Sequence, residues 1–189
     1  SYSVTGVQTC ALPISGYVGG NAEKTIGKYL TVNTDDRKKL FLVTKAETTD
    51  PERLDKSLQT SLERMGTDSV DLFHIHGAER ADRVLTDEVK AWAQKAKKSG
   101  KIKLFGFSTH KNMEELMLAA AKAGWIDGIM MTYNFRILHQ DKMREAVEAC
   151  EKAGIGLCAM KTQARRSKPG EGEAAATEGQ LLAKYTDQG

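Results

Sequence analysis

The sequence predicts an α/β fold, an incomplete (β/α)₈ TIM barrel with about five intact strand–helix units and a partial one. Three observations carry this. Short apolar runs centred on Leu42, Leu72, Phe105, Met131 and Cys158 are separated by helical patterns, at roughly the 30-residue spacing of a strand–helix–strand unit. Strands joined in this way pair in parallel. Polar residues close the runs at their C-terminal ends, Lys45, His76, Ser108, Asn134 and Lys161, and that is the end at which a barrel builds its active site. Finally, no Gly-x-Gly-x-x-Gly comes after the first run, which argues against an open nucleotide-binding sheet. A complete barrel takes roughly 250 residues. At 189 residues the chain is expected to be a fragment, truncated at both ends.

The elements run in order along the chain. Residues 1–15, SYSVTGVQTCALPIS, carry no charge and no periodicity that continues past Ser15. GVQTCALPIS is similar to translated sequencing-adapter read-through. This stretch is therefore read as a non-native leader, and 16–189 as the partial barrel domain. NAEKTIGKYL (21–30) reads as a helix, the remnant of an earlier unit whose strand is lost or overwritten. LFLVT (40–44) is the first clear strand. The helix after it has Asp50 as N-cap, Pro51 in its first turn and Gly66 past its end. Leu54, Leu58, Leu62 and Met65 form its apolar stripe. VDLFHIH (70–76), KLFGFS (103–108), IMMTYN (129–134) and IGLCAMK (155–161) are the later strands. Helices are expected around 86–98, over Met113 to Ala120, over Met143 to Cys150, and weakly near 175–185.

Composition excludes several function classes. Apolar residues make up 40% and charged residues 28%, with 28 basic and 25 acidic side chains and a net charge of +3. That balance points to no nucleic acid and no membrane surface. No apolar run approaches the roughly 20 residues of a membrane span. Three cysteines without Cys-x-x-Cys spacing suggest neither a disulfide framework nor a zinc site, and fit a reducing, cytoplasmic setting.

FLVTK, RLDKSLQTSLERMGTDSVDLFHIHG, GKIKLFGFSTH, YNF and KAGIGLCAMKT, in this order and spacing, resemble an aldo-keto reductase from about Gly16 to Thr162. GYVGGNAEKTIGKYL resembles the segment that carries the family's catalytic tyrosine. The resemblance implies a barrel that reduces the carbonyl of a small aldehyde or ketone with NADPH. It implies Tyr17 as general acid, Lys45 as the cation beside it, His76 as the residue that orients the carbonyl, and Ser108 as a contact to the nicotinamide. The chemistry is coherent in itself. Hydride reaching a carbonyl carbon builds negative charge on oxygen, so a proton donor and fixed dipoles belong there. A tyrosine needs help, because its ordinary pKa is about 10 and an adjacent ammonium favours the phenolate.

Some positions depart from the family. The aspartate five residues before the tyrosine is Leu12 here, so the sequence as written is expected to be impaired. Thr109 replaces the asparagine after the serine, Met130 a glutamine, and Met160 an aromatic. Arg165, Arg166 and Lys168 are candidates for the cofactor's phosphates. The substrate, the preference for NADPH over NADH and the oligomeric state cannot be read from the sequence.

His74 and His76 share one strand face, which suggests a rival: a metal-dependent barrel hydrolase using both imidazoles. Its further ligands would have to come from His110, His139 or Lys161. A non-catalytic NADP-binding barrel is the third reading. In the reductase reading there is no metal, and His74 is a buried, hydrogen-bonded structural residue.

Overall fold

The computed structural model describes residues 9–11 and 17–162, with residues 9–11, Tyr17 and Val18 described by their backbone alone. Six strands form one sheet in chain order: β1 Thr9–Ala11, β2 Leu40–Ala46, β3 Val70–Ile75, β4 Ile102–Thr109, β5 Gly128–Thr132 and β6 Gly156–Met160. Every adjacent pair is parallel. The crossovers are helical: α1 Asn21–Val32, α2 Pro51–Met65, α3 Ala81–Val84, α4 Asp87–Lys98, α5 Met113–Ala123 and α6 Asp141–Lys152. Sequential parallel strands with a helical return after each one are the construction of a (β/α)₈ barrel, present here in part.

Local chemistry explains the helix bounds. Asp50 caps α2 by accepting the Arg53 amide at 2.9 Å, Pro51 occupies the first turn, and Gly66 ends the helix at φ 60°. Leu54, Leu58, Leu62 and Met65 are all buried. In α4 the Thr86 hydroxyl accepts the Val89 amide, and Lys95, Lys97 and Lys98 sit in the last turn, where cations complement the helix dipole.

The strands alternate between two environments, as their period of two requires. Phe73 and Phe105 face the helices, packing on Trp92 with ring centroids 5.4 and 5.8 Å apart, and Phe105 stacks on Trp125 at 5.9 Å. Leu72, His74, Gly106, Ser108 and Met130 alternate with those positions and so line the barrel interior. At the N-terminal end of the sheet Asp71 joins three strands. Its carboxylate accepts from the Leu42 amide at 2.9 Å, from Arg37 at 3.1 Å and from Lys103 at 2.6 Å.

Two features were not anticipated from the sequence. Thr9–Ala11, within the first fifteen residues, forms β1 and pairs with Leu40–Leu42. A three-residue strand is too short to show a period in sequence. The stretch before α4 holds the extra turn α3, also too short to leave a pattern. The helix expected near 175–185 lies outside the described residues. Among the described residues no helix is long and apolar enough to cross a membrane.

Candidate active site

The site is assembled by neighbouring strand ends. β2 and β3 are in register at Lys45 and His74, so His76 stands one repeat further along the same interior face. The His76 amide donates to the Ala46 carbonyl at 2.8 Å, which extends the pairing to the rim. Lys45 is 3% exposed. The His76 ring is steered by Glu47, with Nδ1 to Oε1 at 3.2 Å. On the next strand Ser108 is 1% exposed, and its Oγ accepts the Gly77 amide at 3.1 Å. That bond locks the loop after His76 to the end of β4.

Tyr17 opens a single 3-10 turn, Tyr17–Gly20, that runs directly into α1; its side chain lies outside the described residues, as does Leu12. What anchors this segment is a residue that sequence reasoning missed. Glu23 is fully buried; its Oε1 accepts from Thr44 at 2.7 Å and its Oε2 pairs with Arg64 at 3.2 Å. One carboxylate thus ties α1 to the residue preceding Lys45 and to α2. Its spacing with Ile26, Gly27 and Leu30 puts it on the buried face of α1, and this was the signal in the sequence that could have found it. Close packing assists it: a Cβ on Gly27 would stand 2.3 Å from the Arg64 carbonyl oxygen, so α1 and α2 approach through a glycine. Glu47 was likewise missed, because a glutamate after a strand has no distinguishing pattern.

The electrostatics show which groups share the mouth. Burial lowers the His110 pKa, and the charges of Lys161 and His76 lower it further. His110 Nδ1 meets Thr132 Oγ1 at 2.8 Å. Asn134 Nδ2 donates to the Lys161 carbonyl at 3.3 Å, and Lys161 itself is held at φ 54°. The ends of β3, β4, β5 and β6 therefore contribute to one polar rim. A cavity of about 270 Å³ beside it is lined by His76, Glu47, Arg80 and Arg83 among others.

His74 is buried as expected, at 1% exposure, and the hydrogen-bonding neighbour it finds is the Gly128 backbone, reached at a geometry that falls short of a full bond. Its pKa falls to about 3, first through burial and then through the charge of Lys45, with His76 adding to the effect; the nearby Gly128 carbonyl opposes it. The pair His74 and His76 gathers no third donor: among the described residues no group of three or more His, Cys, Asp or Glu converges as a metal site would. Thr109 Oγ1 is turned to the backbone of Lys111 at 2.8 Å. Met130 is buried between Ser108 and Cys158 in the sheet. Arg165, Arg166 and Lys168 lie outside the described residues.

A sequence model of the Aldo/keto reductase family matches residues 4–168. The chain belongs to the aldo/keto reductase family. Among curated members, an aldo-keto reductase of Fusarium vanettenii is 28% identical over 176 residues, covering 75% of this chain and 47% of that protein. Among solved structures, the holo form of an aldo-keto reductase from Bacillus halodurans superposes with a TM-score of 0.73 at 21% identity, covering 94% of this chain and 62% of that one. An aldo/keto reductase from Klebsiella pneumoniae in complex with NADP and acetate gives a TM-score of 0.65 at 22% identity, covering 81% and 52%. The family chains are longer: this chain spans roughly half to three-fifths of these relatives. The structural likeness carries the fold, an incomplete (β/α)₈ barrel.

Proposed function

We propose that the protein is an oxidoreductase that reduces the carbonyl of a small aldehyde or ketone with NADPH in the cytoplasm. The observation that carries the reading is the buried Lys45 at the C-terminal end of β2, beside the strand that His76 directly follows, in a chain of this family. A buried ammonium is costly unless its charge is used or paired, and a barrel places its chemistry at this end.

In this reading the substrate oxygen sits between Tyr17 and His76. A bound reduced nicotinamide supplies the hydride. As negative charge grows on the oxygen, the Tyr17 hydroxyl transfers its proton to it, and the Lys45 ammonium stabilises the phenolate left behind. His76, turned by Glu47, directs a ring edge at the same oxygen. The residues fit the cofactor at one contact in particular. Ser108 Oγ accepts from Gly77, so its own hydrogen remains to donate to a carboxamide oxygen. The NADP of the Klebsiella pneumoniae relative supports the choice of cofactor.

Leu12 leaves the pair Tyr17 and Lys45 without the family's carboxylate, so turnover is expected to be low. The test monitors NADPH oxidation by an aromatic aldehyde. Leu12→Asp should raise kcat by at least about tenfold, and adding Lys45→Met should abolish the gain. Turnover that ignores Lys45→Met removes the proposal.

A further inference from the structure

Several features of the interior face meet at His74. The register sets it beside Lys45 on β2 and Gly106 on β4, with Gly128 next across the sheet. Glycine at 106 is a steric requirement. A Cβ there would lie 1.7 Å from the Gly128 carbonyl oxygen and 3.2 Å from His74 Cδ2. The imidazole therefore fills the space that Gly106 leaves, with its Cδ2 edge turned toward β4 and β5. Nδ1 is on the other edge of the ring; on β2 the residue in register with His74 is Lys45, whose charge reaches the ring. With the Gly128 backbone on the Nε2 side, Nδ1 is the buried polar atom left to account for, and its desolvation is a cost that a leucine of similar volume would avoid. A polar ring kept there calls for a role in what it faces.

We infer that His74 is a positioning residue for Lys45: its neutral ring holds the hydrogen on Nε2, on the side of the Gly128 carbonyl, and presents the Nδ1 lone pair toward the ammonium across the β2–β3 pair. This rests on the reductase reading, in which Lys45 carries the working charge. Among the described residues, the titratable groups that face the ring are Lys45 from β2 and His76 from its own strand. At this level β4 and β5 present glycine. A second cation beside Lys45 in a dry interior would be strongly disfavoured, so the ring stays neutral and its lone pair persists over the working range of pH. The dipole then favours the charged lysine and biases its direction toward the rim.

The inference separates two atoms of one ring, and so does its test. In the unsubstituted protein, ring nitrogen NMR should show the Nε2–H tautomer of His74, unchanged from pH 5 to pH 9 (a range chosen to bracket the ordinary histidine pKa of about 6.5). The opposite tautomer, or a titration inside that range, overturns the inference. Activity gives the second readout, measured in the Leu12→Asp background with NADPH. Asparagine places its amide oxygen near the position of Nδ1, whereas glutamine mimics Nε2. His74→Leu and His74→Gln should lower kcat by about tenfold and displace its pH profile by about one unit, leaving the KM for NADPH unchanged; His74→Asn should restore most of the rate. If all three variants behave alike with an unmoved pH profile, His74 is packing only and the inference fails. Lys45→Met keeps the two levels apart. An inactive Lys45→Met beside three equivalent His74 variants sinks this inference alone, whereas an active Lys45→Met sinks the reductase reading with it.

Discussion

A neutral histidine in the barrel interior ties stability to acid in a definite window. The His74 pKa is about 3 in the folded protein against an ordinary value of about 6.5, so the unfolded chain takes up the proton first. The stability this group contributes is complete above about pH 6.5. It is lost as pH falls toward 3, at about 1.4 kcal/mol per pH unit. Urea midpoints measured between pH 7 and pH 4 should fall more steeply in the unsubstituted protein than in His74→Leu; parallel slopes would contradict the burial of a neutral ring. Cys150 makes a simpler prediction. Burial pushes its thiol up to about 11, and Sγ points at the Met117 carbonyl at 3.6 Å. It should resist alkylation at pH 8 until denaturant is added, while the exposed Cys158 reacts at once. Equal rates for the two in native buffer would count against this packing.

Among the elements, β3 and its neighbours hold the site in place through two unlike devices. One is the glycine at 106. Gly106→Ala would drive a methyl into the Gly128 backbone, where no side chain can yield, so the variant should lose several kcal/mol or fail to fold. A melting temperature within about 2 °C of the parent would show that the two strands are further apart than described. The other device is Asp71. Burial pushes its carboxyl up, but hydrogen bonds from Lys103 and the Leu42 amide, with the charges of Arg37 and Lys103, outweigh burial and hold its pKa below the ordinary value. A depressed carboxylate stabilises above the unfolded pKa of about 3.9 and loses that contribution as pH falls through the folded value. Asp71→Ala leaves the buried Leu42 amide without its side-chain acceptor and takes away the carboxylate shared by Arg37 and Lys103, although Arg37 keeps Thr67, Leu40 and Ser69; it should cost about 1–3 kcal/mol at pH 7. A change below about 0.5 kcal/mol would mean that the three-strand tie is cosmetic. The helix chemistry was legible beforehand, because Asp50, Pro51 and Gly66 act within a few residues of chain. The partners of Glu23 were not, since Thr44 and Arg64 are distant from it in sequence and only the fold brings them together.

At the scale of the whole molecule, the order of polar strand ends was enough to place Lys45, His76 and Ser108 on one rim, because a parallel sheet repeats the same direction at every strand. β1 was invisible in the apolar pattern and is known only through its pairing with β2. The burial of His74 was legible, but its neighbour was not: a buried ring bonds to what lies opposite, and opposite it the chain presents the backbone of glycines 106 and 128. The central claim is that a phenol, an ammonium and an imidazole meet at the open end of this barrel. A crystal structure of the NADP complex tests it most directly, through the separation of Tyr17 Oη and Lys45 Nζ. A hydrogen-bonding distance of about 3 Å, with His76 facing the same cavity, is the predicted result. A Tyr17 hydroxyl turned away from both residues would contradict the account.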